Sequence, residues 1–238
     1  MSAAEIQLPD EPSTPAYASV PEGATRGMVV LHEVYGRTPE IDAVVDRFAA
    51  RGYAACAPRL FAHGTLSCLR SVFAALANGK PIPQTKIATA ARQWLCEEAS
   101  LTEAQIGLIG FCFGGSFALL AGAGFGAVST NYGAIPPSRA MEGIGPVIAC
   151  YGGRDLMSRG NDVKLRERLA VVGVEPEVHV FPDAGHAFLT NGDHPIAFAL
   201  SWPIMHISYD QDRADGGWAK IDAFFDRHLP RSSSSATP

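Results

Sequence analysis

Three residues have the types and the order to carry out nucleophilic chemistry: Cys112, Asp155 and His186. Cys112 lies in Gly110-Phe-Cys-Phe-Gly-Gly115, just after the apolar run Ile106-Gly-Leu-Ile109 and just before the small-residue stretch Phe113–Ala123. This is the G-x-nucleophile-x-G pattern of a sharp strand-to-helix turn, with cysteine where serine is usual. Neighbours two residues away must be small for strand and helix to close around the turn. The helix N-terminus then offers backbone N–H groups and a positive dipole end, which favour a thiolate. Two plainer uses compete. A buried cysteine is most often an inert small hydrophobe, and glycines after a strand can cradle phosphate. The stretch has neither the Lys and Ser/Thr of a P-loop nor a G-x-G-x-x-G spacing.

Asp155 follows the run Pro146–Cys150 in Tyr151-Gly-Gly-Arg-Asp155, and His186 follows Glu177–Phe181 in Pro182-Asp-Ala-Gly-His186-Ala-Phe188. The order nucleophile, acid, histidine leaves room for about one strand–helix unit between successive members. Asp155 would hold the imidazole of His186 in one tautomer, and His186 would take the proton of Cys112. Alone, Asp155 reads as a turn or cap residue and His186 as a solvated loop histidine. Asp162 reads as a helix cap, and Asp183 lies too close to His186 to come from a separate loop. His63, His179, His194, His206 and His228 show no metal-ligand spacing with acidic or cysteine residues, so neither a metal nor another cofactor is expected.

The elements that must position these loops alternate. Gly27–His32 and Tyr53–Ala57 read as buried strands around an amphipathic helix over Glu40–Arg51, with Ile41, Val44, Val45 and Phe48 on one stripe. Residues 59–84 read as irregular, followed by a helix over Lys86–Glu98. Further along come strands at Ile106–Ile109, Ala127–Tyr132, Pro146–Cys150 and Glu177–Phe181, and helices at Phe113–Ala123, Val163–Val172 and Trp218–His228. Such alternation argues an α/β fold, a mostly parallel doubly wound sheet with helices on both faces. At 238 residues, one domain is expected, over 27–230. Residues 1–26 read as a partly ordered arm with one edge strand near Tyr17–Val20, and 231–238 as a disordered tail. The apolar stretch 191–217 has no clear period; it suits a lid, a dimer contact or ordinary surface packing.

Composition narrows the function classes. Charged residues are only 18% and the net charge is −5, which leaves no electrostatic footprint for nucleic acid. Five scattered cysteines without a CxxC pair suit a chain with reduced thiols. No charged residue occurs from Ala104 to Ser138, but repeated glycines and Pro136-Pro137 argue against a spanning helix. The acidic, polar start lacks the basic and apolar regions of a secretory signal, so a cytoplasmic monomer or homodimer is expected.

Five stretches in order resemble the dienelactone hydrolase family, α/β-hydrolases with a Cys-His-Asp triad. They are Leu31-His-Glu-Val-Tyr-Gly36, Arg51-Gly-Tyr-Ala-Ala-Cys-Ala-Pro58, Gly110–Gly115, Gly152-Gly-Arg-Asp155 and Ala184-Gly-His-Ala-Phe188. The resemblance implies Cys112, Asp155 and His186 as the triad, and Glu33 as a carboxylate that contacts the resting thiol and helps to ionise it. It places the oxyanion hole at the backbone N–H groups of Phe113 and Val34. Tyr35, His63 and Leu189 fall at substrate-contact positions. At the last two, family members carry arginines that hold a substrate carboxylate, and this chain has histidine and leucine. The implied reaction is hydrolysis of a small ester or lactone through a thioester acyl-enzyme, without a cofactor. A thioesterase or other acyl hydrolase, a non-catalytic binding module of the same fold, and a redox-sensing cysteine are the other readings.

Overall fold

The computed structural model describes residues 3–9, 13–62, 64–191, 204–207, 209 and 211–231. Eight strands form one sheet: β1 (Ala4–Gln7), β2 (Pro15–Ser19), β3 (Arg26–Leu31), β4 (Tyr53–Pro58), β5 (Ile106–Phe111), β6 (Ala127–Asn131), β7 (Val147–Gly152) and β8 (Glu177–Phe181). Their order across the sheet is β1-β2-β4-β3-β5-β6-β7-β8. Strands β3 to β8 pair in parallel, while β1 on β2 and β2 on β4 are antiparallel. Among the described residues six α-helices cover it: α1 (Pro39–Ala50), α2 (Thr65–Asn78), α3 (Thr85–Glu98), α4 (Phe113–Ala121), α5 (Asn161–Ala170) and α6 (Gln211–His228).

The period-2 alternation of the central strands sorts side chains into two cores. Val29 and Leu31 of β3 and Leu108 of β5 meet α3 and α4 through Leu95 and Phe117. Met28 and Val30 of β3 and Ile109 and Phe111 of β5 meet α1 and α6 through Phe48, Trp218 and Phe225. Arg47 of α1 reaches Asp222 of α6 at 2.6 Å, with its guanidinium over the Trp218 ring, and Arg26 of β3 reaches Asp226 at 2.6 Å. The first bridge ties α1 to α6 and the second ties α6 to the sheet.

Three expectations need correction. The first 26 residues are not a mere arm: they supply both antiparallel strands, with Ala16 and Ala18 fully inside the core. Residues 59–84 contain α2, whose buried side is Cys68, Val72 and Ala75. The last helix begins at Gln211 rather than Trp218, running through Gly216 and Gly217 because a Cβ at 217 would press on Leu189. The charge-free stretch 104–138 is β5, α4, β6 and their turns, and among the described residues no helix is long and apolar enough to cross a membrane. Within 191–217, residues 192–203 lie outside the described residues, as does nearly all of the 231–238 tail.

Candidate active site

Cys112 sits between β5 and α4 with φ +53° and ψ −114°, a conformation that costs a non-glycine residue on the order of 1–3 kcal/mol and persists only where its surroundings enforce it. The enforcement is visible. A Cβ at Gly110 would run into the Gly114 carbonyl, and one at Gly114 into the Leu31 carbonyl, so both glycines permit the close turn. The Cys112 N–H donates to the Asn131 carbonyl at 2.9 Å, and the Asn131 side chain donates to the Gly110 carbonyl at 3.1 Å. The elbow is thus clamped to β6. Phe113 is the first helical residue of α4, so its N–H has no partner within the helix and is open to a ligand.

Asp155 and His186 hang from the turns after β7 and β8. Asp155 is 1% exposed. Its Oδ1 accepts the Met157 N–H at 3.0 Å, and its Oδ2 accepts both the Ser158 hydroxyl and His186 Nδ1–H, the latter at 2.7 Å. Burial pushes this carboxyl up, but the His186 and Ser158 bonds outweigh it and hold it below the usual range. For His186, burial alone favours the neutral ring. The negative charges of Cys112 and Asp155 overcome that and raise its pKa to about 10. The His186 N–H donates to the Met205 carbonyl at 2.8 Å, and the Leu156 N–H to the Ile204 carbonyl at 2.9 Å. Residues 204–207 therefore bridge the acid loop and the histidine loop. Nε2, the nitrogen opposite the Asp155 bond, is buried with no nitrogen or oxygen partner among the described residues, and Cys112 is the group it interacts with.

Glu33 follows β3 in a turn closed by the Gly36 N–H on the Glu33 carbonyl at 3.1 Å. Its buried carboxylate accepts the Thr190 hydroxyl at 3.0 Å. Because that proton is committed, Tyr132 O–H donates to Thr190 Oγ1, 3.3 Å away. The Tyr132 ring also stacks 4.9 Å from the His186 imidazole. His32, next in line, is fully buried: its Nε2 accepts the Leu60 N–H at 3.0 Å, so Nδ1–H donates to the Glu33 carbonyl at 2.8 Å. Burial lowers its pKa to about 4, so His32 is a neutral strut that ties the β3 loop to the β4 loop.

Cys112, His186, Glu33, Val34, Tyr35 and Phe113 all face one cavity of about 910 Å³. Asp155 lies behind it. The resemblance-derived set thus comes together with two exceptions. Leu189 is 3% exposed and packs under α6, its carbonyl accepting the Trp218 indole N–H at 3.1 Å, so it faces the core and not the cavity. His63 lies outside the described residues. Asp162 and Asp183 are not the acid: the carboxylate on His186 belongs to Asp155. Of the five cysteines only Cys112 faces the cavity, while burial pushes Cys56 and Cys150 up and Cys68 to about 11. Four contributors, His32, Tyr132, Ser158 and Thr190, had no local signal beyond Thr190 standing four residues after His186. Among the described residues no group of three or more His, Cys, Asp or Glu is placed to hold a metal ion.

A mostly parallel eight-stranded sheet, with a strained residue between the central strand and its helix and an Asp–His pair on the turns after later strands, defines an α/β-hydrolase. The dienelactone hydrolase family model matches residues 14–229, and the chain belongs to that family. A carboxymethylenebutenolidase of Rhodococcus opacus is 25% identical over 259 residues, spanning 94% of this chain and 97% of that one. A Yersinia pestis relative, provisionally given the same name, is 26% identical over 237 residues, spanning 90% and 84%. A dienelactone hydrolase-like promiscuous phosphotriesterase from metagenomic libraries superposes with TM-score 0.75 at 21% identity, covering 96% of this chain and 99% of that one.

Proposed function

We propose that the chain hydrolyses a small carboxylic ester or lactone with Cys112 as nucleophile, through a thioester intermediate. Membership of the dienelactone hydrolase family makes it a hydrolase of esters or lactones. The observation that carries the finer reading is the convergence of Cys112 and His186 on one cavity, with Asp155 2.7 Å behind the imidazole.

In this reading the Cys112 thiolate attacks the carbonyl carbon, forming a C–S bond while the carbonyl π pair moves to oxygen. The Phe113 and Val34 N–H groups receive that oxyanion. The tetrahedral adduct collapses, the C–O bond breaks, and His186 gives its Nε2 proton to the departing alkoxide. His186, now neutral at Nε2, takes a proton from water as the hydroxyl oxygen adds to the thioester carbon. Collapse of this second adduct breaks the C–S bond and frees the acid, and the thiolate–imidazolium pair is restored. The Glu33 carboxylate, which faces the same cavity, is the group to which the family resemblance gives a part in ionising the thiol. Asp155 holds Nδ1–H throughout and keeps Nε2 turned to the sulfur.

The test is a panel of short-chain aryl esters, comparing wild type with Cys112→Ala, together with iodoacetamide labelling mapped by mass spectrometry. Turnover lost in the variant, with alkylation at Cys112, supports the reading. Equal turnover in wild type and variant overturns it. Faster turnover of matched thioesters than of oxygen esters would move the assignment to a thioesterase.

A further inference from the structure

Beyond the reacting atoms, the cavity is built of hydrocarbon. Phe73 and Leu76 of α2, Met157 beside the acid loop, and Met205, Ile207 and Tyr209 all line it. Phe73 and Met157 are 60% and 64% exposed at its mouth. An exposed apolar rim continuous with a cavity of this size is the signature of a ligand site and not of ordinary surface. The two methionines add a lining that adapts to varied apolar shapes.

The charge inside is negative. Glu33 and Cys112 both push up the hydroxyls of Tyr35 and Tyr132, after burial itself. The positive charge of His186 is committed to Asp155 and to the Cys112 sulfur. All 19 lysines and arginines of the chain lie among the described residues, and none lines the cavity. Arg37, two residues from Tyr35, is paired with Glu5 and Asp42, and Arg70, Arg154 and Arg159 are exposed. A carboxylate brought into this space would lose its water, meet no lysine or arginine and face Glu33.

We propose that the substrate is uncharged and apolar away from the scissile bond, an ester with a hydrocarbon acyl or alcohol part of several carbons, and that this cavity discriminates against carboxylate-bearing esters. The inference rests on the ester-hydrolase reading above and specifies its substrate class. It departs from the carboxylate-bearing substrate that the family resemblance implies.

The experiment compares two matched aryl esters, the hexanoate and the mono-ester of adipate, which share four methylenes and differ in a terminal methyl or carboxylate. The expected kcat/KM favours the hexanoate by at least about a hundredfold. Phe73→Arg, at an exposed position that tolerates charge, narrows that ratio by about tenfold or more. Arg70→Ala leaves both values within about twofold. Wild-type values within about threefold of each other, or adipate turnover that disappears in Arg70→Ala, overturn the proposal. If neither ester is hydrolysed, the ester-hydrolase reading fails, yet the preference is still read by protection of Cys112 from iodoacetamide. Stronger protection by hexanamide than by adipic monoamide sustains it, and equal or reversed protection overturns it.

Discussion

His186 Nδ1 lies 2.7 Å from Asp155 Oδ2, and both side chains are sealed from solvent, at 6% and 0% exposure. With Met157 N–H and the Ser158 hydroxyl also on the carboxylate, Asp155 has no freedom to rotate away from the imidazole. This pair therefore fixes both the tautomer of His186 and the direction of Nε2.

Asp155→Asn preserves the shape but presents an amide to Nδ1, which favours the wrong tautomer. Ester turnover should fall by about three to four orders of magnitude with little change in KM. Steady-state kinetics on an aryl ester beside circular dichroism separates this from unfolding.

The Thr190 hydroxyl satisfies Glu33 and receives Tyr132. Thr190→Val leaves a buried carboxylate and a buried phenol short of one partner each, at a cost of about 1–3 kcal/mol in stability. Thr190→Ser restores most of it. Urea unfolding midpoints of the three proteins make the comparison.

His32 stays neutral in the native protein down to about pH 4, against an ordinary 6.5. The unfolded chain binds this proton first. The contribution is therefore fully present above about pH 6.5 and is lost as pH falls through 4, about 3 kcal/mol in all. In His32→Gln, whose amide can still donate and accept, the unfolding midpoint should decline less steeply over that interval.

Gly110→Ala drives a methyl into the Gly114 carbonyl and should cost at least about 3 kcal/mol, enough to abolish soluble expression or the folded baseline. Gly36→Ala is the informative partner. Its φ is +93° but nothing crowds its Cβ position, so the loss there should be nearer ~1 kcal/mol.

The central strands and the elbow were legible because their signals are local: β-branched runs, then glycines whose lack of a Cβ is required by the turn. α2 escaped notice for a physical reason. Its buried stripe of Cys68, Val72 and Ala75 has helical spacing, but Phe73 and Leu76, which line the cavity, extend the apolar surface beside it and blur the contrast. β1 is only four residues long and almost wholly exposed, so only its pairing with β2 reveals it. Gly216 and Gly217 made α6 look shorter, although Gly217 is there to admit Leu189. That same packing explains why Leu189 was misplaced as a substrate contact: neighbours at His186+1 and +4 turn to the cavity, while His186+3 turns inward. His32, Tyr132 and Thr190 gain their roles only through partners far away in sequence, 28, 58 and 157 residues distant.

In the proposed reaction the nucleophile Cys112 rides on β5, in the middle of the sheet, whereas the base His186 hangs from β8 at its rim and is moored by residues 204–207. Rims fray before centres. On warming, the imidazole should leave its place while the elbow still stands, and ester turnover should be lost in a temperature range where the far-ultraviolet signal is intact. Cooling restores it, provided that the thiol, left for that interval without its proton partner, has not been oxidised. In that case the working temperature is set by the edge of the sheet, and the melting temperature by its heart.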